Sequence, residues 1–168
     1  MSAPLTVGVP REVKEGEHRV AVTPDGVHEL EAGGATVLIE AGAGERAMFP
    51  DVMYRAVGGR IQTDPARVYT TTDLVLKVRA PTVGEVGGPS ELAWMRSGQI
   101  LLSSLVPARH LPVVKALADR RVSLLALSTI PRTTRAQPMD TVSSMANIAG
   151  YRGAILAAAE LGKYFPML

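Results

Sequence analysis

The sequence contains no cysteine. That excludes a disulfide framework, a thiolate nucleophile and every cysteine-held zinc or iron–sulfur site. Aromatic residues are scarce at 4% (Trp94, four Tyr and two Phe), so any core must be built from Val, Leu, Ile, Ala and Met. Charge of one sign is lacking too. The 18 Lys+Arg against 16 Asp+Glu leave a formal net charge of +2, too little to argue for nucleic acid or an anionic membrane surface. No apolar run approaches the roughly 18 residues a spanning helix needs. The first ten residues, without a basic region or a long apolar stretch, do not read as a secretory signal. The default location is cytoplasmic. The three histidines, His18, His28 and His110, are scattered and predict no metal site. Ser143-Ser144 lacks a nucleophile-elbow setting, which argues against a hydrolase.

What is present is an ordinary globular composition, 46% apolar over 168 residues, enough for one domain or for one domain and a piece of another. Short Val-, Leu- and Ile-rich runs recur at Leu5–Val9, Thr36–Glu40, Leu74–Val78, Ile100–Leu105 and Val122–Leu127. Bounded by turn residues, such runs read as buried strands. Helical patterns between them predict an α/β domain: a mainly parallel sheet flanked by helices.

The clearest helix starts at Thr23 as N-cap with Pro24 at its first position, and Gly33 or Gly34 stops it. A second is expected over about Ala108–Asp119, with Leu111, Val114 and Leu117 at helical spacing and Pro112 in the first turn. Asp51–Val57 reads as a short helix and Gly84–Ser90 as a loop. A long small-residue helix is expected from about Asp140 to Lys163, with Val142, Met145, Ile148, Ala149, Ile155, Leu156 and Ala159 at three- and four-residue spacing. Two domains follow from this reading: residues 1–139 as the α/β domain and residues 140–168 as the long helix and its continuation. Phe165 and Leu168, large apolar residues with little left to pack against, suggest that more chain should follow.

Gly42-Ala43-Gly44-Glu45-Arg46-Ala47 follows a strand and matches the dinucleotide fingerprint on paper, with Asp64 about twenty residues on. Phe49-Pro50-Asp51 comes too soon for a long helix to start at the glycines. Glu45 also places negative charge where a pyrophosphate would sit. A connecting loop is the better reading.

Two segments are denser in polar groups than a plain scaffold requires. Residues 10–24 follow the first strand, at the carboxyl end where open α/β sheets bind ligands. Residues 131–144 follow the last strand-like run and carry Arg132, Arg135, Gln137, Asp140 and Ser143 within a few turns. Each can be a solvated loop, with Asp140 capping the long helix, or a site.

These two segments also carry a resemblance. Val7-Gly8-Val9-Pro10-Arg11-Glu12, Glu17-His18-Arg19-Val20-Ala21-Val22-Thr23-Pro24 and Val37 to Gly44 resemble the opening of the alanine dehydrogenase/nicotinamide nucleotide transhydrogenase family. Arg132 to Ser144, with Asn147-Ile148-Ala149-Gly150-Tyr151-Arg152, resembles the transhydrogenase alpha subunit in particular. The resemblance implies a flavodoxin-like, Rossmann-like architecture. It implies direct hydride transfer between NAD(H) and an NADP(H) held on a partner domain, coupled to proton translocation. Arg132, Gln137, Asp140 and Ser143 match the positions that hold the nicotinamide end of NAD(H), as both the catalytic and the cofactor-binding set. Implied partners are NADP-binding and membrane domains and a second copy in a homodimer, with peripheral placement at the inner face of the plasma membrane.

In the dehydrogenase branch of the family, pyruvate is held by an arginine matching Arg19, a lysine where this chain has Arg79, and a histidine where it has Val106. Valine cannot move a proton and arginine cannot serve as a tunable amine. An alanine-dehydrogenase-like enzyme with altered substrate residues and a non-catalytic assembly or binding domain are the alternatives. The glycine-rich dinucleotide turn of the family's Rossmann domain is not in this sequence, which implies weak NADH binding, or none, by the chain alone.

Overall fold

The computed structural model describes residues 3–84 and 90–163. By its internal contacts the chain divides into two units, Met1–Ala126 and Leu127–Leu168.

The first unit is a six-stranded sheet: β1 (Thr6–Val9), β2 (Thr36–Glu40), β3 (Arg60–Gln62), β4 (Leu74–Lys77), β5 (Ile100–Ser103) and β6 (Ser123–Ala126). All pairings are parallel, in the order β3-β2-β1-β4-β5-β6. The five strands legible as apolar runs have the flavodoxin order, 2-1-3-4-5 when numbered among themselves. The added edge strand β3 turns this into the 3-2-1-4-5-6 order of the Rossmann sheet. β3 has no apolar run because it is three residues long and carries Arg60 and Gln62 at an edge. After it, Asp64 caps α3 (Pro65–Thr70) by accepting from the Ala66 N–H at 3.0 Å. Asp64 is thus a helix cap and not a ribose ligand.

Register and pleat decide which side chains face which layer. Val7, Val37, Leu74 and Ile100 lie side by side, so their neighbours Val75 and Leu101 point to the opposite face. On the first face, Val7, Val9, Val37 and Ile39 pack with Val27 of α1 (Pro24–Ala32) and Tyr54 of α2 (Asp51–Ala56). On the second, Val75 and Leu101 pack with Tyr69 of α3, Leu92 of α4 (Glu91–Trp94), and Val113 and Leu117 of α5 (Leu111–Asp119). With helices on both faces, the inner strands β1, β2, β4 and β5 are the buried Val/Leu/Ile strands that parallel pairing requires. The run at Val122–Leu127, expected to be buried, forms the edge strand β6, in which no residue is buried and Leu125 is exposed.

The local signals fall largely where the residues place them. Thr23 accepts from the Gly26 N–H at 3.3 Å and Pro24 opens α1. The α5 helix starts at Leu111, later than expected, after a 3₁₀ turn over Pro107–Arg109. Its buried face is Val113 and Leu117, while Leu111 is exposed. The β5 and β6 strands are shorter than their apolar runs, although Leu105 and Val122 still reach the core. Gly42 has φ +73° and donates its N–H to Asp51 Oδ1 at 2.9 Å, and a Cβ at Gly44 would collide with the Phe49 carbonyl. A 3₁₀ turn, Glu45–Ala47, follows. The glycines close a tight loop and open no helix.

The second unit holds a 3₁₀ turn (Leu127–Thr129), a longer 3₁₀ segment (Thr134–Met139) and α6 (Thr141–Glu160). The α6 helix ends three residues before the expected Lys163. Its Val142, Met145, Ile148, Ile155 and Leu156 are exposed. Phe165 and Leu168 lie outside the described residues, as do positions 85–89 of the glycine-rich loop. No described helix is long and apolar enough to cross a membrane.

Candidate functional site

The order of strands reverses between β1 and β4, and this switch point is where ligands bind in open α/β sheets. The carboxyl ends of both strands enter a cleft of about 870 Å³. Its floor is ionic. Lys77, the last residue of β4, has 0% of its side chain exposed. Its Nζ lies 2.7 Å from Glu91 Oε1 and 3.4 Å from Glu12 Oε2. Glu91 also accepts from the Tyr69 hydroxyl at 2.6 Å and from the Thr82 N–H at 2.9 Å, so α4 is fastened to the loop after β4. Glu12, on the loop after β1, accepts from the Val78 N–H at 2.7 Å and the Arg79 N–H at 3.3 Å. That bond pair fixes the backbone that presents Arg79. The Arg79 Nε then donates to Glu17 Oε2 at 2.6 Å, and Arg19 grips the same carboxylate through Nε (2.7 Å) and a terminal nitrogen (2.6 Å). Glu40, at the end of β2, accepts from the Arg11 N–H at 2.9 Å and faces its guanidinium at 3.6 Å.

The charges here titrate in opposite directions. Burial pushes the Glu12 carboxyl up, against the pull of Lys77 and two N–H donors. Burial also raises Glu40, opposed by Arg11. Glu17 goes the other way: the hydrogen bonds from Arg19, supported by Arg79, outweigh its burial and lower it to about 2. Tyr69 is driven well up by burial and then by Glu91.

The sequence points to one loop of this cleft, within residues 10–24, but not to Lys77, Glu12 and Glu91 as a unit. The available signal was a lysine at the end of an otherwise apolar strand, Leu74-Val75-Leu76-Lys77, because a buried ammonium requires carboxylates beside it.

The residues expected from the second polar loop lie in the second unit. Arg132, Gln137, Asp140 and Ser143 line one depression of about 240 Å³, together with Thr133 and Thr134. Asp140 caps α6, accepting from the Ser143 N–H at 2.9 Å and the Ser143 hydroxyl at 2.6 Å. The Ser143 hydroxyl, then its N–H, holds the Asp140 carboxyl below the usual range, and Arg132 adds to this. The cap and the polar cluster are one structure. Arg135, in the same loop, is not among the lining residues.

The first unit is a doubly wound α/β domain with polar loops at the carboxyl ends of its central strands. The chain belongs to the alanine dehydrogenase/PNT N-terminal domain family, whose sequence profile matches residues 8–149. It is 39% identical, over 96% of its length, to the NAD(P) transhydrogenase subunit alpha of Cereibacter sphaeroides, covering 30% of that protein. It is 38% identical, again over 96% of its length, to the NAD(P) transhydrogenase subunit alpha of Haemophilus influenzae, covering 30% of it. Alanine dehydrogenase 2 of Staphylococcus aureus is 35% identical over 95% of this chain and is 40% covered. The crystal structure of transhydrogenase from Sinorhizobium meliloti superposes with a TM-score of 0.87 at 36% identity, covering 97% of this chain and 47% of that one. The chain thus spans less than half the length of these relatives, which belong to both branches of an oxidoreductase family. The resemblance read from residues 7–24, 37–44 and 132–152 is borne out.

Proposed function

We propose that this chain is the N-terminal portion of a proton-translocating NAD(P) transhydrogenase alpha subunit. On this reading its residue 131–144 loop orients the nicotinamide end of NAD(H) for direct hydride transfer to NADP⁺ on a partner domain. The observation that supports it most is the convergence of Arg132, Gln137, Asp140 and Ser143 on one depression. At about 240 Å³ it is smaller than the roughly 300 Å³ at which whole small-molecule sites begin. It therefore suits one end of a dinucleotide and not the whole.

The donor set fits a carboxamide. Asp140, with lone pairs beyond those used by Ser143, can accept from the amide nitrogen. Gln137 can both donate and accept, and Arg132 can donate to the amide oxygen. Ser143, by holding both Asp140 oxygens, fixes the direction in which the carboxylate faces. NAD(H), when bound, supplies the hydride. No side chain has to take or give a proton for this, so the contribution of the loop is orientation, an effect worth up to about 7–11 kcal/mol in well-aligned systems.

On this reading residues 1–139 form the α/β domain and residues 140–168 lead towards an NAD-binding Rossmann domain. The partners are NADP-binding and membrane domains, a second copy completes a homodimer, and the assembly sits at the cytoplasmic face of the membrane. The chain alone binds NADH weakly or not at all, and a fluorescence titration giving micromolar affinity for it would contradict that element of the reading. In the assembled enzyme, Gln137→Ala and Asp140→Asn are expected to lower kcat for NADPH-dependent reduction of an NAD analogue by about a hundredfold, with KM changing far less. Unchanged kcat in both variants sinks the proposal. Alanine-dependent NAD⁺ reduction by the assembled enzyme would support the dehydrogenase branch instead.

A further inference from the structure

The cleft at the switch point is lined by none of the residues assigned to the nicotinamide end. At about 870 Å³ it lies within the range of sites for whole small molecules, roughly 300–1,000 Å³. The charges that line its floor are already matched: Glu12, Glu40 and Glu91 stand against Arg11 and Lys77, and Arg79 is paired with Glu17 outside the lining, each cation within 4 Å of a carboxylate oxygen. A small carboxylate entering here competes with internal carboxylates for the same guanidiniums.

The groups left over have a different character. Trp94 lines the cleft, partly exposed, with Tyr69 packed against it at a centroid separation of 5.6 Å and a 45° tilt. Leu105, Val106 and Val113 extend that apolar wall. Lys14 and Arg109 line the cleft with exposed side chains and make no ion pair among the described residues. A complementary ligand brings a flat ring to the wall, one anionic group to Lys14 and Arg109, and no charge to the floor.

We propose that this cleft binds an aromatic anion, with its ring beside Trp94 and its anionic group drawn to Lys14 and Arg109. This goes beyond the transhydrogenase reading and does not depend on it. The anionic group can be a phosphate or a carboxylate, and the two are separable by experiment.

Trp94 is the single tryptophan of the chain, so indole fluorescence reports on this wall alone. The chain is titrated with adenosine monophosphate and with 3-phenylpropanoate, and then with adenosine, inorganic phosphate and pyruvate. The expected result is a saturable change with at least one aromatic anion, its identity naming the source of the charge. Its separated halves and pyruvate should bind about tenfold more weakly or not at all. The Lys14→Ala/Arg109→Ala double variant, which alters only exposed side chains, is expected to weaken the better ligand about fivefold with an unchanged far-ultraviolet circular dichroism spectrum. No saturable response to either anion overturns the proposal. So does pyruvate binding as tightly as the aromatic anions, or full affinity in the double variant. Any of these failures leaves the reading of the 131–144 loop untouched, because no residue of that loop lines the cleft.

Discussion

Lys77→Met removes the ammonium that sits between two buried carboxylates and leaves them facing each other. Methionine has a similar unbranched stem, so packing changes little and the electrostatic loss dominates. The Nζ is 2.7 Å from Glu91 Oε1 and 3.4 Å from Glu12 Oε2, and the three side chains are 0%, 3% and 2% exposed. Deleting one partner of such a buried pair costs about 3–5 kcal/mol, against a total stability of about 5–15 kcal/mol for a typical domain. At about 2–4 °C per kcal/mol for a protein of this size, Tm is expected to fall by about 6–20 °C.

The pH dependence distinguishes this cause from a packing defect. Burial raises the Glu12 carboxyl and Lys77 opposes the rise, so the carboxyl climbs further once the lysine is gone. A folded value above the unfolded one means that the protonated form favours the fold. The variant is then most stable in acid and loses stability as pH climbs through the raised value. Urea unfolding followed by far-ultraviolet circular dichroism, at about pH 5 and about pH 8, measures both quantities. Adding Glu12→Gln and Glu91→Gln to Lys77→Met removes the uncompensated charge and is expected to restore most of the loss. A single variant within about 1 kcal/mol of the parent at the higher pH, with no gain on acidification, would refute the buried-pair argument.

Glu17→Gln is expected to flatten the acid limb of the stability curve. The Glu17 carboxyl falls to about 2 from an ordinary 4.5, so its contribution is complete above the ordinary value and is lost as pH falls towards the lowered one. That shift alone corresponds to at most about 3 kcal/mol. The guanidiniums around it are about half exposed, so about 1 kcal/mol is the expected difference. Acid titrations of both proteins that superpose would contradict it. Gly8→Ala is expected to destabilise by about 1–3 kcal/mol, because the new Cβ would lie 2.6 Å from the Val68 carbonyl oxygen and 2.7 Å from Thr72 Oγ1. A denaturation midpoint unchanged from the parent would show that α3 can retreat. Tyr54→Phe is expected to cost about 1 kcal/mol through loss of its 2.9 Å bond to the Val22 carbonyl, again read from urea unfolding.

Local grammar accounts for what the sequence disclosed. Thr23-Pro24 and Asp140 announce helix starts because a cap and its N–H partner lie three residues apart. The 131–144 cluster was legible for the same reason: its members are neighbours along the chain. Four of the five apolar strands, β1, β2, β4 and β5, stand out because inner parallel strands are buried on both faces, whereas the run at β6 is apolar on an edge that stays partly exposed. β3 escaped notice because an edge strand of three residues needs no apolar run. The cleft floor escaped for a different reason. Lys77 meets Glu12 across 65 residues and Glu91 across 14, contacts that only the sheet order creates. The glycine pair at 42 and 44 shows the converse, a fingerprint complete in letters and annulled by the chain that follows it.

The strand order also sets a timetable for synthesis. β1 is central, yet one of its two neighbours, β4, pairs with it through Val7↔Leu74 and Gly8↔Val75. When β1 leaves the ribosome it can pair with β2 soon afterwards, but its other edge has no partner until some 65 residues more have emerged. Chains are made N-terminus first, and open edges and exposed apolar surface invite wrong pairing in the interval. The segment from β1 to β4 is therefore where a nascent copy of this protein most needs shelter, while β5 and β6 join an edge that is already built.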